Sequence, residues 1–167
     1  MRWVILFGLA LALATGFVPA FPRLVVRTQA GTVLAAQPAT PGCEISIRFT
    51  HSVARTPVLE TLVVEGNRLK LRETLYQDFG AGLPSELGPG EEMSLEPDGV
   101  RITGMSRYFD HVRFHVGGIA RHQVILGDRV LDLADLVGPG TQIDITVVNY
   151  GWLISLVKGV VPLWARR

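Results

Sequence analysis

Cysteine is nearly absent: Cys43 is the only one in 167 residues. A single thiol excludes an intrachain disulfide framework and a cysteine-based zinc knuckle. Lysine is scarce too. Lys70 and Lys158 are the only two among sixteen basic residues, and no run of arginines forms a tract. With a net charge of +1, the chain has no basic field of the kind that holds nucleic acid. Charged residues make up 19% against 48% hydrophobic, which excludes a disordered composition. Strand–helix alternation is missing, so a doubly wound nucleotide fold is disfavoured. No internal repeat stands out; Gly88-Pro89-Gly90 and Gly138-Pro139-Gly140 share loop chemistry only. At this length one domain, or one domain with a membrane segment, is expected.

Long apolar runs are confined to the ends. Met1-Arg2 precedes Trp3 to Ala14, which has no polar side chain; Thr15-Gly16 interrupts, and Phe17 to Phe21 continues. A short basic start before an apolar stretch is the plan of a secretory signal. Val18 and Ala20 suit cleavage after Ala20, but Pro19 and Pro22 weaken that site. As a helix, Trp3 to Phe21 spans ~28 Å, roughly a bilayer core. Residues 1–22 are therefore expected to be a retained signal anchor in preference to a removed signal peptide. Both readings export the rest of the chain. Pro41-Gly42-Cys43 lacks the apolar residues of a lipoprotein signal. At the other end, residues 150–167 place Trp152, Leu153, Leu156, Val157, Val160, Val161 and Trp164 at helical spacing. A short amphipathic helix is expected there, lying on a membrane surface or packed on the domain itself.

Residues 23–149 read as a β domain. In Glu44 to Thr50 apolar side chains take every second place, as they do in His111 to Val116 and Gln142 to Val147. That period buries one face and wets the other. Gly66-Asn67 and Gly127-Asp128 each suit a two-residue hairpin turn. Pro97-Asp98-Gly99 and Ala30-Gly31 supply two further turns. The expected fold is all-β: an antiparallel β-sandwich or partly open barrel of about ten short strands. The longest irregular stretch runs from Asp78 to Glu92, and a loop that long in a compact domain is often functional.

Three groups of residues bear chemistry. His51, Ser52 and Glu60 invite a catalytic triad. However, His51 and Ser52 are adjacent, and on a strand they point to opposite faces. The structural alternative is a hairpin with a loop at 52–56, His51 opposite Pro57 and Arg48 opposite Glu60. The second group is histidine. His111 and His115 on a strand stand ~13 Å apart, too far to chelate one ion together, and no metal site is expected. His111, Arg113 and His115 instead form a polar face suited to a partner or an anionic ligand. The third is Phe79 to Pro84, whose glycines offer backbone N–H groups but lack the lysine of a phosphate loop. A tight turn is the simpler reading.

Taken together, FTHSVARTPVLE, the Gly66-Asn67 hairpin and DFGAGLP resemble the bacterial domain-of-unknown-function family 1850. His51, Ser52, Thr56, Pro57, Glu60, Gly80, Gly82, Leu83 and Pro84 match its pattern, and Arg55 lies within the first motif. A glycine-containing strand near Val116-Gly117-Gly118, before His122, fits as well. Members of that family are small exported proteins often encoded beside TRAP transporters, notably the TAXI type, which import carboxylates through a periplasmic receptor. The resemblance implies a membrane-associated, non-enzymatic accessory or binding protein on the periplasmic side of the inner membrane. Its expected partner is a TRAP membrane subunit or solute receptor. Contact is expected through the 78–92 loop and the His51–Pro57 turn, because loops on a rigid sheet carry recognition. No cofactor is implied. A periplasmic hydrolase using His51 with Ser52 or Glu60, and a small-ligand carrier, are the alternatives.

Overall fold

The computed structural model of the chain describes residues 21–77 and 86–150. The helices expected at the two ends, and Gly80, Gly82, Leu83 and Pro84, lie outside these residues. Within them are twelve strands, two more than the rough count from sequence, and one short helix. The strands are β1 (Phe21–Thr28), β2 (Val33–Pro38), β3 (Glu44–Thr50), β4 (Pro57–Glu65), β5 (Arg68–Tyr76) and β6 (Glu92–Glu96). They continue with β7 (Gly99–Thr103), β8 (Arg107–Phe109), β9 (His111–His115), β10 (Gln123–Leu126), β11 (Arg129–Asp132) and β12 (Gln142–Tyr150), with α1 (Leu133–Val137) before the last. Among the described residues the strands run from Phe21 to Tyr150.

The strands form two antiparallel sheets, and neither closes into a barrel. One runs β2-β1-β12-β9; the larger runs β11-β10-β3-β4-β5-β7-β6, with β8 also paired to β5. The alternation seen in sequence explains why they pack. Leu24, Val26, Ile143 and Ile145 of the smaller sheet join Ile45, Ile47, Val58, Leu62, Leu69 and Ile102 of the larger in one buried cluster. Truncating one of these leucines or isoleucines to alanine costs about 2–5 kcal/mol.

The hairpin turns follow from their glycines. Gly66 and Gly127 take positive φ of 62° and 56°, each at the first central position of a two-residue link. Pro97-Asp98 links β6 to β7. The Ala30-Gly31 turn is wider than its glycine signal implied, because β1 stops at Thr28 and β2 starts at Val33.

The β3–β4 register corrects the sequence reading by one residue. Thr50, not His51, stands opposite Pro57, and Arg48 faces Leu59 instead of Glu60. The cause lies in the turn. The His51 amide donates to the Thr56 carbonyl, and the His51 carbonyl accepts from the Arg55 amide. His51 is therefore spent inside the loop. A one-residue slip moves a side chain to the other face, so Glu60 lies opposite Ile47 on the core side.

The two ends of the domain differ. Phe21 of β1 is paired with Tyr150 of β12, so the chain segments before β1 and after β12 adjoin the same end of the smaller sheet. At the other end, Thr28 is paired with Ile143, seven steps along the strand, or ~23 Å away. His115 stands opposite Gln142 at that distal end. The connection that follows β9 reaches across to the larger sheet, where the Thr50 amide donates to the Ala120 carbonyl at 2.8 Å. The His51 turn therefore sits at the end away from Phe21 and Tyr150.

Candidate functional site

The turn from His51 to Thr56 is tied by its own polar groups. The Ala54 amide donates to His51 Nδ1 at 3.1 Å. Two backbone bonds, His51 to Thr56 and Arg55 to His51, close the loop at 2.8 and 2.9 Å. Arg55 adopts φ 58°, a left-handed conformation that costs a non-glycine residue about 1–2 kcal/mol. Its side chain is exposed, as are Ser52, Val53 and Pro57. The Thr56 hydroxyl is buried without a hydrogen-bond partner.

This arrangement decides what His51 can do. A ring nitrogen that accepts a hydrogen bond carries no proton, so the neutral imidazole bears its proton on Nε2. His51 then has no free lone pair with which to take a proton from a serine. Among the described residues no hydrogen bond joins His51 to Ser52 or to Glu60.

Glu60 belongs to a different environment. It stands between Ile47 of β3 and Thr74 of β5, and Thr74 in turn stands opposite Ile102. This cross-strand row faces the core, and Ile47, Thr74 and Ile102 are buried. Among the described residues the Glu60 carboxylate has no hydrogen bond and no ion pair. Burial pushes its pKa up, and the Arg107 charge offsets this in part.

β4 and β5 bring the His51 turn next to Gln77. Val58 is paired with Tyr76, so the His51–Thr56 turn lies beside the point where the chain enters the 78–92 stretch. Pro57, Leu59 and Gln77 line one small cleft of about 160 Å³ there, with Asp98 from the β6–β7 turn. Gly99, which follows Asp98, packs closely against the Tyr76 carbonyl. A Cβ at Gly99 would stand 2.3 Å from the Tyr76 carbonyl oxygen, so only glycine permits this approach. Of the ten residues read as a binding site, six are described. His51, Ser52, Arg55, Thr56 and Pro57 form one surface turn, whereas Glu60 points into the core.

His122 has a packing role. Its ring stacks between Phe49 and Phe114, at centroid distances of 5.4 and 4.7 Å. Its Nδ1 accepts the Gly117 amide at 3.2 Å. Burial lowers its pKa. Among the described residues no three His, Cys, Asp or Glu side chains converge as a metal site.

A cluster of charge lies on the outer face of the smaller sheet, and only half of it was visible in sequence. Asp144 of β12 stands directly between Arg27 of β1 and Arg113 of β9. Arg27 donates Nε and an NH2 proton to Asp144 Oδ2 at 3.1 and 2.8 Å. Arg113 Nε reaches Oδ1 at 3.3 Å, and His111 Nδ1 lies 2.8 Å from the same oxygen. Burial alone would raise the Asp144 pKa, but the hydrogen bonds from Arg27 and His111 and their charges together hold it below the usual carboxylate value. His111 and Arg113 had been assigned to a polar face; Arg27 and Asp144 were missed. Asp144 did carry a signal, as the one charged residue in the alternating strand Gln142 to Val147.

Among the described residues no helix is long and apolar enough to cross a membrane. A family model described as Domain of unknown function (DUF1850) matches residues 45–133, more than half of the chain. No curated protein and no solved structure matches.

Proposed function

Since the chain belongs to the family whose model spans its residues 45–133, we propose that it is an exported, membrane-associated binding protein of a TRAP-type uptake system. It acts on the periplasmic side of the inner membrane and performs no catalysis. The two-sheet sandwich holds the domain rigid, and the His51–Pro57 turn together with the 78–92 stretch contacts a transporter subunit or its solute receptor. The observation that carries this reading is the pairing of Val58 with Tyr76. It places the His51–Thr56 turn beside Gln77, from which the chain continues into the second motif. A locked turn with exposed Ser52, Val53 and Arg55 suits recognition, because its conformational entropy is already lost before a partner arrives. The hydrolase alternative gains no support from a His51 whose Nδ1 is occupied.

The orientation follows from the same reading. If the segment before Phe21 is held in the bilayer, the Phe21–Tyr150 end lies nearest the lipid and the motif turn faces outward, toward a soluble receptor. The test is mild cross-linking of the full-length tagged protein in its own membranes, followed by identification of what is recovered. A TRAP membrane subunit or receptor is expected, with recovery reduced at least tenfold by Arg55→Glu. Recovery of the protein alone, or undiminished recovery with the variant, overturns the proposal.

A further inference from the structure

The outer face of the smaller sheet carries a cleft of about 370 Å³, lined by Arg27, Thr28, Gln29, Arg113, Gln142 and Asp144 together with Gly31. That volume falls in the range of small-molecule sites. We propose that this cleft binds a small oxyanion, a carboxylate or phosphate group, on the free N–H donors of Arg27 and Arg113.

The argument starts from charge. Apart from the histidines, β1, β2, β9 and β12 carry Arg23, Arg27, Arg113 and Asp144 as their charged residues. The face around the cleft thus has two guanidinium groups for one carboxylate, before His111 and His115 are considered. The remaining side chains that line it, Thr28, Gln29 and Gln142, are neutral and able to donate hydrogen bonds.

Donor geometry points the same way. A guanidinium has five N–H donors. Asp144 takes two from Arg27 and one from Arg113, which leaves three and four. None of these has another acceptor among the described residues. The Asp144 side chain is only 10% exposed, whereas Arg27 and Arg113 are 32% and 55% exposed. A nearly buried carboxylate therefore holds two guanidinium groups from below and leaves their outer edges open. Neutralising one buried aspartate takes one arginine. The second makes the site cationic, and both arrive oriented, so an anion that docks does not bear the cost of ordering them. Planar, forked donors match the paired oxygens of carboxylate and phosphate.

The cleft is also placed apart from the Phe21–Tyr150 pair. Thr28 and Gln142 lie at the far end of β1 and β12 from the Phe21–Tyr150 pair. That is the same end as the His51 turn, to which it is joined by the β9 connection and the Thr50–Ala120 bond. This inference does not rest on the transporter reading, since it concerns the free protein and a small solute.

The experiment is calorimetric titration of the purified full-length chain with sodium succinate and, separately, with sodium phosphate. Sodium chloride at matched ionic strength serves as the reference. Saturable binding above the chloride reference is expected for at least one anion. Succinate alone assigns the site to carboxylates, phosphate alone to phosphates, and both to oxyanions in general. Arg113→Gln should weaken binding at least tenfold while Arg27 still holds Asp144. Gln142→Glu, which adds a negative charge to the cleft without touching the Asp144 bonds, should weaken it by as much. The second variant decides the matter if the first does not fold. Absence of saturable binding for both anions, or variants that bind like the parent, would falsify the site.

Discussion

Glu60 stands directly across from Ile47 on the core-facing side of the larger sheet. Its other neighbour is the buried Thr74. A carboxylate in such a row is at odds with the packing around it, since an unpaired charge away from water is costly. The raised pKa of Glu60 expresses the same conflict. Glu60 therefore opposes stability at neutral pH.

Replacing that charge should help folding. The folded state holds the Glu60 proton more tightly than the unfolded chain does. Stability therefore falls as pH rises through the ordinary carboxylate value of 4.5 and up to the raised folded value. Glu60→Gln should stabilise the protein at pH 7.5, on the order of 1 kcal/mol, and show a much smaller gain at pH 4. Urea unfolding at the two pH values reads this directly. An equal effect at both would mean that the charge is not what matters.

The observed register predicts which ion pairs couple. Arg48 and Glu60 lie on opposite faces, so a double-mutant cycle between them should give less than about 0.5 kcal/mol. Arg27 and Asp144 share two hydrogen bonds. Their cycle should give about 1–2 kcal/mol, discounted for the exposure of the arginine. The Asp144 contribution is present above pH 3.8, its ordinary value, and is lost as pH falls toward its depressed folded value. Strong Arg48–Glu60 coupling in thermal unfolding would restore the register read from sequence.

Arg55 separates shape from recognition. Its φ of 58° suits glycine, so Arg55→Gly removes strain but also frees the unfolded chain. The two effects nearly cancel, and the melting temperature should stay within a few degrees, equivalent to about 0.5 kcal/mol. Binding of a partner through the turn should nevertheless weaken, since the exposed guanidinium is gone. A large loss of stability instead would show that the arginine is structural.

Alternation was enough to place β3, β9 and β12, because half-buried strands write their two faces into the sequence. Glycine turn chemistry placed the Gly66 and Gly127 hairpins for the same local reason. The register of β3 on β4 was not legible. It depends on whether His51 belongs to the strand or the loop, and that is settled by the backbone bonds of His51 with Thr56 and Arg55, with the Ala54 amide on its ring. The Asp144 cluster was legible only in part. His111, Arg113 and His115 share a strand and so announce a face, but Arg27 lies 117 residues from its partner. Pairing of β1 with β12 is a property of the whole topology. Glu60 misled for a further reason: a glutamate within an alternating strand reads as a wet residue, and the one-residue slip reversed its face.

His122 supplies the acid-sensitive element. Its stacked ring is held neutral between Phe49 and Phe114, with its Nδ1 accepting from Gly117. Protonation destroys that acceptor and places a charge against two aromatic rings. Because burial depresses the folded pKa, the unfolded chain binds the proton more tightly. Stability from this residue is full above its ordinary value of 6.5 and is lost as pH falls toward the depressed folded value. His122→Asn keeps an acceptor for Gly117 but cannot titrate. It should cost about 1–2 kcal/mol at pH 7.5 through lost stacking and burial, and the gap to the parent should narrow toward pH 5. Glu60 acts in the opposite sense, so the comparison belongs in a Glu60→Gln background. Parallel stability curves from pH 7.5 to pH 5 would remove His122 as the source of acid sensitivity.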